Sequence, residues 1–278
     1  MDGRDDGTGQ YILGHSEQEL ARLERQGAIF GNETRELLLR AGLRSGMHVL
    51  DIGSGAGDVA LIAADIVGPG GAVVGLDRAS SALPLARARA ARAGQDWLSF
   101  VDGDLYAYDT ERRFDAVVGR FVLMHVPDAV GAVRRLTHFL TPGGTIAFVE
   151  MDIEETRAVP ELPLLQMCIR WIAETYRKVG ADPNMGEHLY ATFRAAGLTP
   201  SLAGMTRITG SDDRVVFGFA AQTLTSLLPA MEKYSIATAD EVGIDTIAER
   251  LFSEAAAGDR CILMPRLIAA WARTTSRT

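Results

Sequence analysis

Three glycines and two acids carry the first chemistry in this chain. Gly53, Gly55 and Gly57 follow an apolar run ending in Asp51, in the order Val49-Leu-Asp-Ile-Gly-Ser-Gly-Ala-Gly-Asp-Val59. A Gly-x-Gly-x-Gly turn from a buried strand into a helix lets the backbone approach a nucleotide-like ligand at the strand's C-terminal end. Glycine supplies the positive φ angles that such a turn needs. A second apolar run, Ala72-Val-Val-Gly-Leu-Asp77, ends in an acid about 20 residues beyond the last glycine, where a carboxylate can accept from both hydroxyls of a ribose. Asp77 has an alternative role as the cap of a helix starting near Ser80, and Arg78 beside it is placed to neutralise it. Asp51 has an alternative role in bonding the amides of its own turn.

These residues need a scaffold of alternating strands and helices. The pattern predicts strands at about 47–52, 72–77, 97–101, 114–119 and 144–150, with helices at about 57–67, 80–93 and 128–140. Such an order implies a parallel sheet covered on both faces. Ser16 caps a helix over 17–25, with Glu19 as in a capping box, and Asn32 caps a second one over 33–41 that Gly42 stops. After Asp152 the pattern turns helical. Segments at about 160–180, 186–196, 212–232 and 239–257 read as helices, and one near 201–208 as a strand. The final apolar run, Cys261–Trp271, contains Pro265, which weakens a central-strand reading.

Composition narrows the function. The chain has 278 residues and a formal net charge of −8, which argues against gripping a nucleic-acid backbone. Arg87, Arg89 and Arg92 cluster at helical spacing and read as a solvated face. Cys168 and Cys261 lack metal-type spacing and read as buried thiols of a reducing compartment, with no metal site expected. No apolar run reaches the roughly 18 residues of a membrane span. The N-terminus is polar and acidic and lacks the apolar core of a secretory signal, so a cytoplasmic location is expected.

Five ordered segments resemble the class I S-adenosylmethionine-dependent methyltransferases. Leu50-Asp-Ile-Gly-Ser-Gly-Ala-Gly57 resembles their first motif, and Val73-Val-Gly-Leu-Asp77 the ribose-binding strand end. Phe100-Val-Asp-Gly-Asp-Leu105 resembles the segment that contacts adenine. Phe114–Asp128 resembles the fourth strand and its loop, and Leu140–Glu150 the turn and fifth strand. The resemblance is firm over about 30–152 and looser beyond, as in small-molecule members of the quinone and natural-product branch. It implies an α/β fold: a doubly wound, mostly parallel, seven-stranded Rossmann-like sheet with N-terminal helices and a helical lid. The expected organisation is an N-terminal segment and cap helix over 1–30, then a catalytic domain over 31–278 with lid insertions at about 155–197 and 211–258.

The resemblance also implies roles. S-adenosyl-L-methionine is the expected cofactor, and Gly53, Gly55, Gly57 and Asp51 are expected near its methionine part. Asp77 and Arg78 are expected at the ribose. Asp104, ahead of Asp102, and the Leu105 amide are expected at the adenine. Arg120 is expected at the methionine carboxylate, its alternative being an ion pair with a neighbouring acid. Tyr11 and His15 belong to a segment that in similar enzymes folds over the cofactor, with an aromatic ring near the sulfonium. That segment's other reading is packing on the domain or on a second subunit of a homo-oligomer. His125, in a Leu-x-His-x-x-Asp pattern, and Glu150 and Asp152, at the fifth strand's end, are the candidate proton acceptors, with Glu150 favoured. Met167, Ile169, Trp171, Phe217, Phe219 and Leu224 suggest a pocket for an apolar or aromatic small molecule. Such side chains equally build ordinary cores.

Rival functions fit less well. The turn lacks the Gly-x-Gly-x-x-Gly spacing of an NAD-dependent dehydrogenase, and no Tyr has a Lys four residues later. Gly119-Arg-Phe-Val122 stands where exocyclic-amine nucleic-acid methylases carry an Asn/Asp-Pro-Pro-aromatic tetrad. A cofactor-retaining cyclase or isomerase stays open on sequence grounds.

Overall fold

The structure is a computed structural model describing residues 17–274. Its elements in chain order are α1 (Glu17–Arg40), β1 (His48–Ile52), α2 (Asp58–Val67), β2 (Ala72–Asp77), α3 (Leu83–Arg92), β3 (Leu98–Asp102), β4 (Phe114–Arg120), α4 (Ala129–Leu136) and β5 (Leu140–Asp152). They continue as β6 (Arg157–Val159), α5 (Pro163–Lys178), α6 (Met185–Ala195), β7 (Ser201–Gly210), α7 (Arg214–Lys233), α8 (Ala239–Val242), α9 (Ile247–Ala256) and β8 (Cys261–Arg273). The sheet has eight strands, running β3-β2-β1-β4-β5-β8 with β6 and β7 both paired to β8. The pairs β3-β2, β2-β1, β1-β4 and β4-β5 are parallel, and all pairs with β8 are antiparallel. The strand absent from the expected seven is the three-residue β6.

Side chains alternate across the sheet, as strand geometry requires. Val49, Ala116, Val118 and Ala147 share one core with α2, α3 and the C-terminal part of α1. Leu50, Ile52, Val117, Ile146 and Phe148 share the larger core with α4, α5, α6, α7 and α9.

Three expectations about elements change. α1 is one continuous helix through Gly31 and Asn32, not two. Ile29, Phe30, Leu37 and Leu38 are all buried, and the continuous apolar stripe outweighs the local cap preference of Asn32. The expected boundary at residue 30 therefore falls inside α1. The helix expected over 239–257 breaks at Gly243, which is left-handed at φ 65°. β8 is a central strand despite Pro265. On one side its pairing passes from Asp152↔Arg266 to Arg157↔Leu263, and on the other from Thr206↔Arg266 to Ile208↔Leu263. Pro265 sits in the gap of both ladders, where a missing N–H costs no hydrogen bond.

Among the described residues no helix is long and apolar enough to cross a membrane. None of their His, Cys, Asp and Glu side chains cluster in threes to hold a metal ion. Both cysteines are free thiols, Cys168 buried and Cys261 half-buried.

Candidate active site

A cavity of about 540 Å³ opens at the C-terminal ends of β1, β2 and β4. One part is lined by the glycine turn (Gly53, Ser54, Gly55, Ala56), by Asp77 and Arg78 after β2, and by Asp104, Leu105 and Tyr106 after β3. The other is lined by Met151 at the end of β5 and Ile153 just after it, by Leu165, Ile169, Ile172 and Tyr176 of α5, and by Val216, Phe217, Phe219, Ala220 and Thr223 of α7. Arg120, Phe121, Val122 and His125 lie between the two.

The turn is tied down from several directions. Asp77 Oδ2 accepts from the Gly55 amide at 2.6 Å, and its Oδ1 accepts from the Ala79 amide at 2.7 Å. The carboxylate thus joins the first two strand ends and makes a turn of its own, while still facing the cavity. At Gly53, with φ 66°, a Cβ would lie 2.6 Å from Val122 Cγ2. At Gly57, with φ 88°, it would lie 2.9 Å from Phe100 Cζ. Gly57 does not line the cavity; it is the left-handed entry to α2, packed on Phe100 and Ala86. Asp104 Oδ1 accepts from the Tyr106 amide at 2.8 Å, and Asp104, not Asp102, lines the cavity.

Arg120 is buried at the cavity wall. It donates from Nη1 to Thr34 Oγ1 at 2.9 Å, and its Nη2 lies 3.4 Å from Asp58 Oδ2. The ion-pair alternative is thus present, in the same residue that lines the cavity. Asp58, Ser54, Tyr106 and Tyr176 were not singled out from sequence. Only Asp58 carries a usable signal, as an acid directly after the last glycine at a helix start. Tyr11 and His15 lie outside the described residues.

The three candidate proton acceptors separate. His125 lines the cavity, its ring centroid 5.8 Å from that of Tyr176. Glu150 and Asp152 do not line it. They alternate with Met151 along β5 and share the strand face of Ile146 and Phe148, so their side chains leave the strand opposite to that of Met151, which lines the cavity. Asp152 is buried, accepts from Nε and Nη2 of Arg266 at 2.9 and 2.7 Å, and accepts the Glu187 amide at the start of α6 at 2.8 Å. Glu150 Oε1 accepts from the amides of Val122 and Leu123 at 2.9 and 2.8 Å, fixing the turn that presents His125.

Burial pushes the Glu150 carboxyl up to about 8, against the lowering effect of those amides. Its folded value lies above its unfolded one. The unfolded chain releases this proton in the ordinary carboxylate range, and the folded protein keeps it until about pH 8. Stability from this group is therefore full at low pH and is lost as pH rises to about 8, by ~1.4 kcal/mol per pH unit in that window. Glu150→Gln, which keeps an acceptor for the amides, should flatten this slope in urea titrations between pH 5 and 8 (both roughly set by the two values). An unchanged slope would mean that Glu150 is ionised in the folded protein at neutral pH.

Asp51 is buried on the α2 side behind the cavity wall, and neither carboxylate oxygen has a hydrogen-bond partner of good geometry, the Ala60 amide being only weakly engaged. Burial raises its pKa well above the ordinary carboxylate value, Arg120 opposes this, and Asp77 and Asp58 add to it. The Ser54 hydroxyl is likewise buried without a partner. Unpartnered polar atoms at a glycine turn, with a guanidinium and a strand-end carboxylate both lining the cavity, fit a ligand with ammonium, carboxylate and ribose groups. S-adenosylmethionine has all three.

A doubly wound sheet with one antiparallel strand inserted beside β5, and a nucleoside-type cavity at its C-terminal edge, defines the class I methyltransferase architecture. A family model described as a methyltransferase domain matches residues 43–197, more than half of the chain, and the chain belongs to that family. It is an S-adenosylmethionine-dependent methyltransferase. The aklanonic acid methyltransferase of Streptomyces sp. (strain C5) is 31% identical over 166 residues, covering 55% of this chain and 75% of the relative. The ubiquinone/menaquinone biosynthesis C-methyltransferase UbiE of Pseudomonas fluorescens (strain SBW25) is 32% identical over 156 residues, covering 52% and 61%. Phosphoethanolamine N-methyltransferase 2 of Haemonchus contortus, solved with phosphomonomethylethanolamine and S-adenosylhomocysteine, superimposes with a TM-score of 0.60 at 18% identity, over 97% of this chain and 60% of that one.

Proposed function

We propose that the enzyme methylates a small, uncharged, largely apolar acceptor held between α5 and α7. The observation that carries this reading is the chemistry of that compartment. The lining residues from α5, α7 and β8 include no Asp, Glu, Lys or Arg. The Thr223 hydroxyl already donates to the Phe219 carbonyl at 2.9 Å, and the Thr156 hydroxyl to that of Ile153 at 2.7 Å. Tyr176 and His125 are the other polar side chains of that compartment. A phosphate or ammonium acceptor would lose its hydration without a counter-charge. The name of the quinone-biosynthesis relative supports the same class, and that of the aklanonic acid relative supports a small-molecule acceptor.

In this reading Asp77 holds the ribose, with Arg78 at its rim. Asp104 and the Leu105 amide hold the adenine. Gly53, Gly55 and Arg120 form the seat for the amino-acid end, with Asp51 buried behind the turn. Bound S-adenosylmethionine supplies a methyl group activated by its sulfonium. The chain's own work is to hold the acceptor at about 3–3.5 Å from that methyl, exclude water and take up a proton on His125 when the acceptor carries one. The expected lid narrows to α5 and α7. α6 instead packs on the sheet, and α8 and α9 give no lining residue. Ile169, Phe217 and Phe219 line the pocket, whereas Met167, Trp171 and Leu224 do not. The free thiols suit a cytoplasmic setting.

The test is transfer of labelled methyl to a panel of acceptors. Phenolic and quinol-type molecules should be labelled, and phosphoethanolamine and simple alkylamines should not. Phe219→Asp should abolish acceptor turnover with S-adenosylhomocysteine affinity retained. Labelling confined to the charged acceptors would overturn the reading.

A further inference from the structure

Behind the glycine turn, one carboxylate is shared by two guanidiniums. Asp58 opens α2 and is buried at the cavity wall. Its Oδ1 lies 2.7 Å from Nη1 of Arg89 on α3, and its Oδ2 lies 3.4 Å from Nη2 of Arg120. Arg89 also donates to the Ala56 carbonyl at 2.7 Å, so the pair is anchored to the turn itself. α1 closes the cluster from outside. Thr34 accepts from Arg120, and a Cβ on Gly27 would lie 2.5 Å from Asp58 Oδ1.

An arginine side chain has many rotamers, and burying its charge is costly without a counter-ion. The two hydrogen bonds of Arg120 use one N–H from each Nη, and a guanidinium has five. The remaining donors stand at the cavity wall only if the side chain is held in place. Asp58 Oδ2 accepts from Arg120, and Oδ1 meets Arg89 as an ion-pair contact without hydrogen-bond geometry, so Asp58 serves as the counter-ion of both guanidiniums.

We propose that Asp58 is a positioning residue. It fixes the Arg120 guanidinium toward the carboxylate end of the cofactor, and Gly27 and Thr34 make α1 part of that seat. This rests on the placement of Arg120 in the amino-acid seat proposed above. Its consequence is specific: the machinery discriminates a ligand that carries the carboxylate from one that lacks it.

Calorimetry on the full-length protein tests this with two probes, S-adenosylhomocysteine and its decarboxylated analogue, which keeps the ammonium. The wild type should prefer the former by about tenfold or more, the worth of a charge-assisted hydrogen bond. Asp58→Asn should lose most of that preference while binding the decarboxylated analogue as the wild type does. Gly27→Ala should lose part of it, although alanine is the better helix former. Because both probes are compared within one variant, a general loss of stability cancels. An equal loss of affinity for both probes in Asp58→Asn would assign the residue to stability or to the ammonium and overturn the proposal. Arg120→Met separates the two layers. A preference intact in this variant removes Arg120 from the seat. A preference lost in Arg120→Met but intact in Asp58→Asn and Gly27→Ala leaves Arg120 in place and overturns the role of Asp58 and α1.

Discussion

Replacing His125 with alanine should lower single-turnover methyl transfer by ~10²–10⁴-fold near neutral pH while leaving S-adenosylhomocysteine affinity unchanged. Of the three side chains that sequence placed at strand ends for proton transfer, His125 is the one at the cavity wall. It ends the short turn Leu123–His125, whose entry is held by the buried carboxyl of Glu150 through the amides of Val122 and Leu123. Imidazole is also the side chain suited to accept a proton near neutrality. An acceptor hydroxyl or acidic carbon must shed its proton as the new bond forms, and an apolar compartment offers it no water. Two controls isolate the effect. Glu150→Ala and Asp152→Ala should reduce soluble yield and stability more than turnover per folded molecule, since each breaks a buried set of hydrogen bonds. A phenol acidic enough to bind as its anion should restore near wild-type rates to His125→Ala. If His125→Ala matches the wild type with a neutral phenol, transfer proceeds by proximity alone and no base operates.

The contrast between His125 and Glu150 shows what sequence patterns reach. β1, the glycine turn and β2 were legible because each is specified locally: apolar run, glycines, acid. Asp104 is preferable to Asp102 only through the family resemblance, whose pattern places the acid directly before a small or apolar residue. Strand-end acids were harder. Glu150 and Asp152 stand at the right height on the sheet, but strand alternation sends them to the face of Phe148, and Met151 and Ile153 face the cavity instead. That parity is readable in principle, once the face covered by each helix is known. The ion pair under Arg120 was named as an alternative, yet its partner Asp58 lies 62 residues away, and α1 completes it from 86 residues away. Pro265 was read as a reason against a central strand because the gap that admits it belongs to β5, β6 and β7, not to β8. Similarly, α5 and α7 were legible as apolar helices, but which turn of each faces the ligand is set by their packing on one another. Ile169 lines the cavity while Met167 and Trp171 do not.

Asp77→Ala should weaken S-adenosylhomocysteine binding by at least tenfold, since a hydrogen bond to a charged group contributes ~1.5–3 kcal/mol. The side chain has two tasks, and the loss must be divided between them. Its oxygens accept from the amides of Gly55 and Ala79, so the variant frees two backbone donors and loosens the turn. It also faces the cavity, where the ribose hydroxyls are proposed to meet it. The 3′-deoxy analogue of S-adenosylhomocysteine separates the tasks. If Asp77 holds the ribose, the wild type should prefer the natural ligand to the deoxy analogue, and Asp77→Ala should lose that preference. The two perturbations would then be non-additive by most of the hydroxyl's worth. If Asp77 only braces the turn, the variant should weaken both ligands by the same factor, and the preference for the hydroxyl should survive. The first outcome would make this carboxylate the group that reads a ribose; the second would confine it to holding β2 against the glycine turn. Unchanged affinity for both ligands would remove Asp77 from the site altogether.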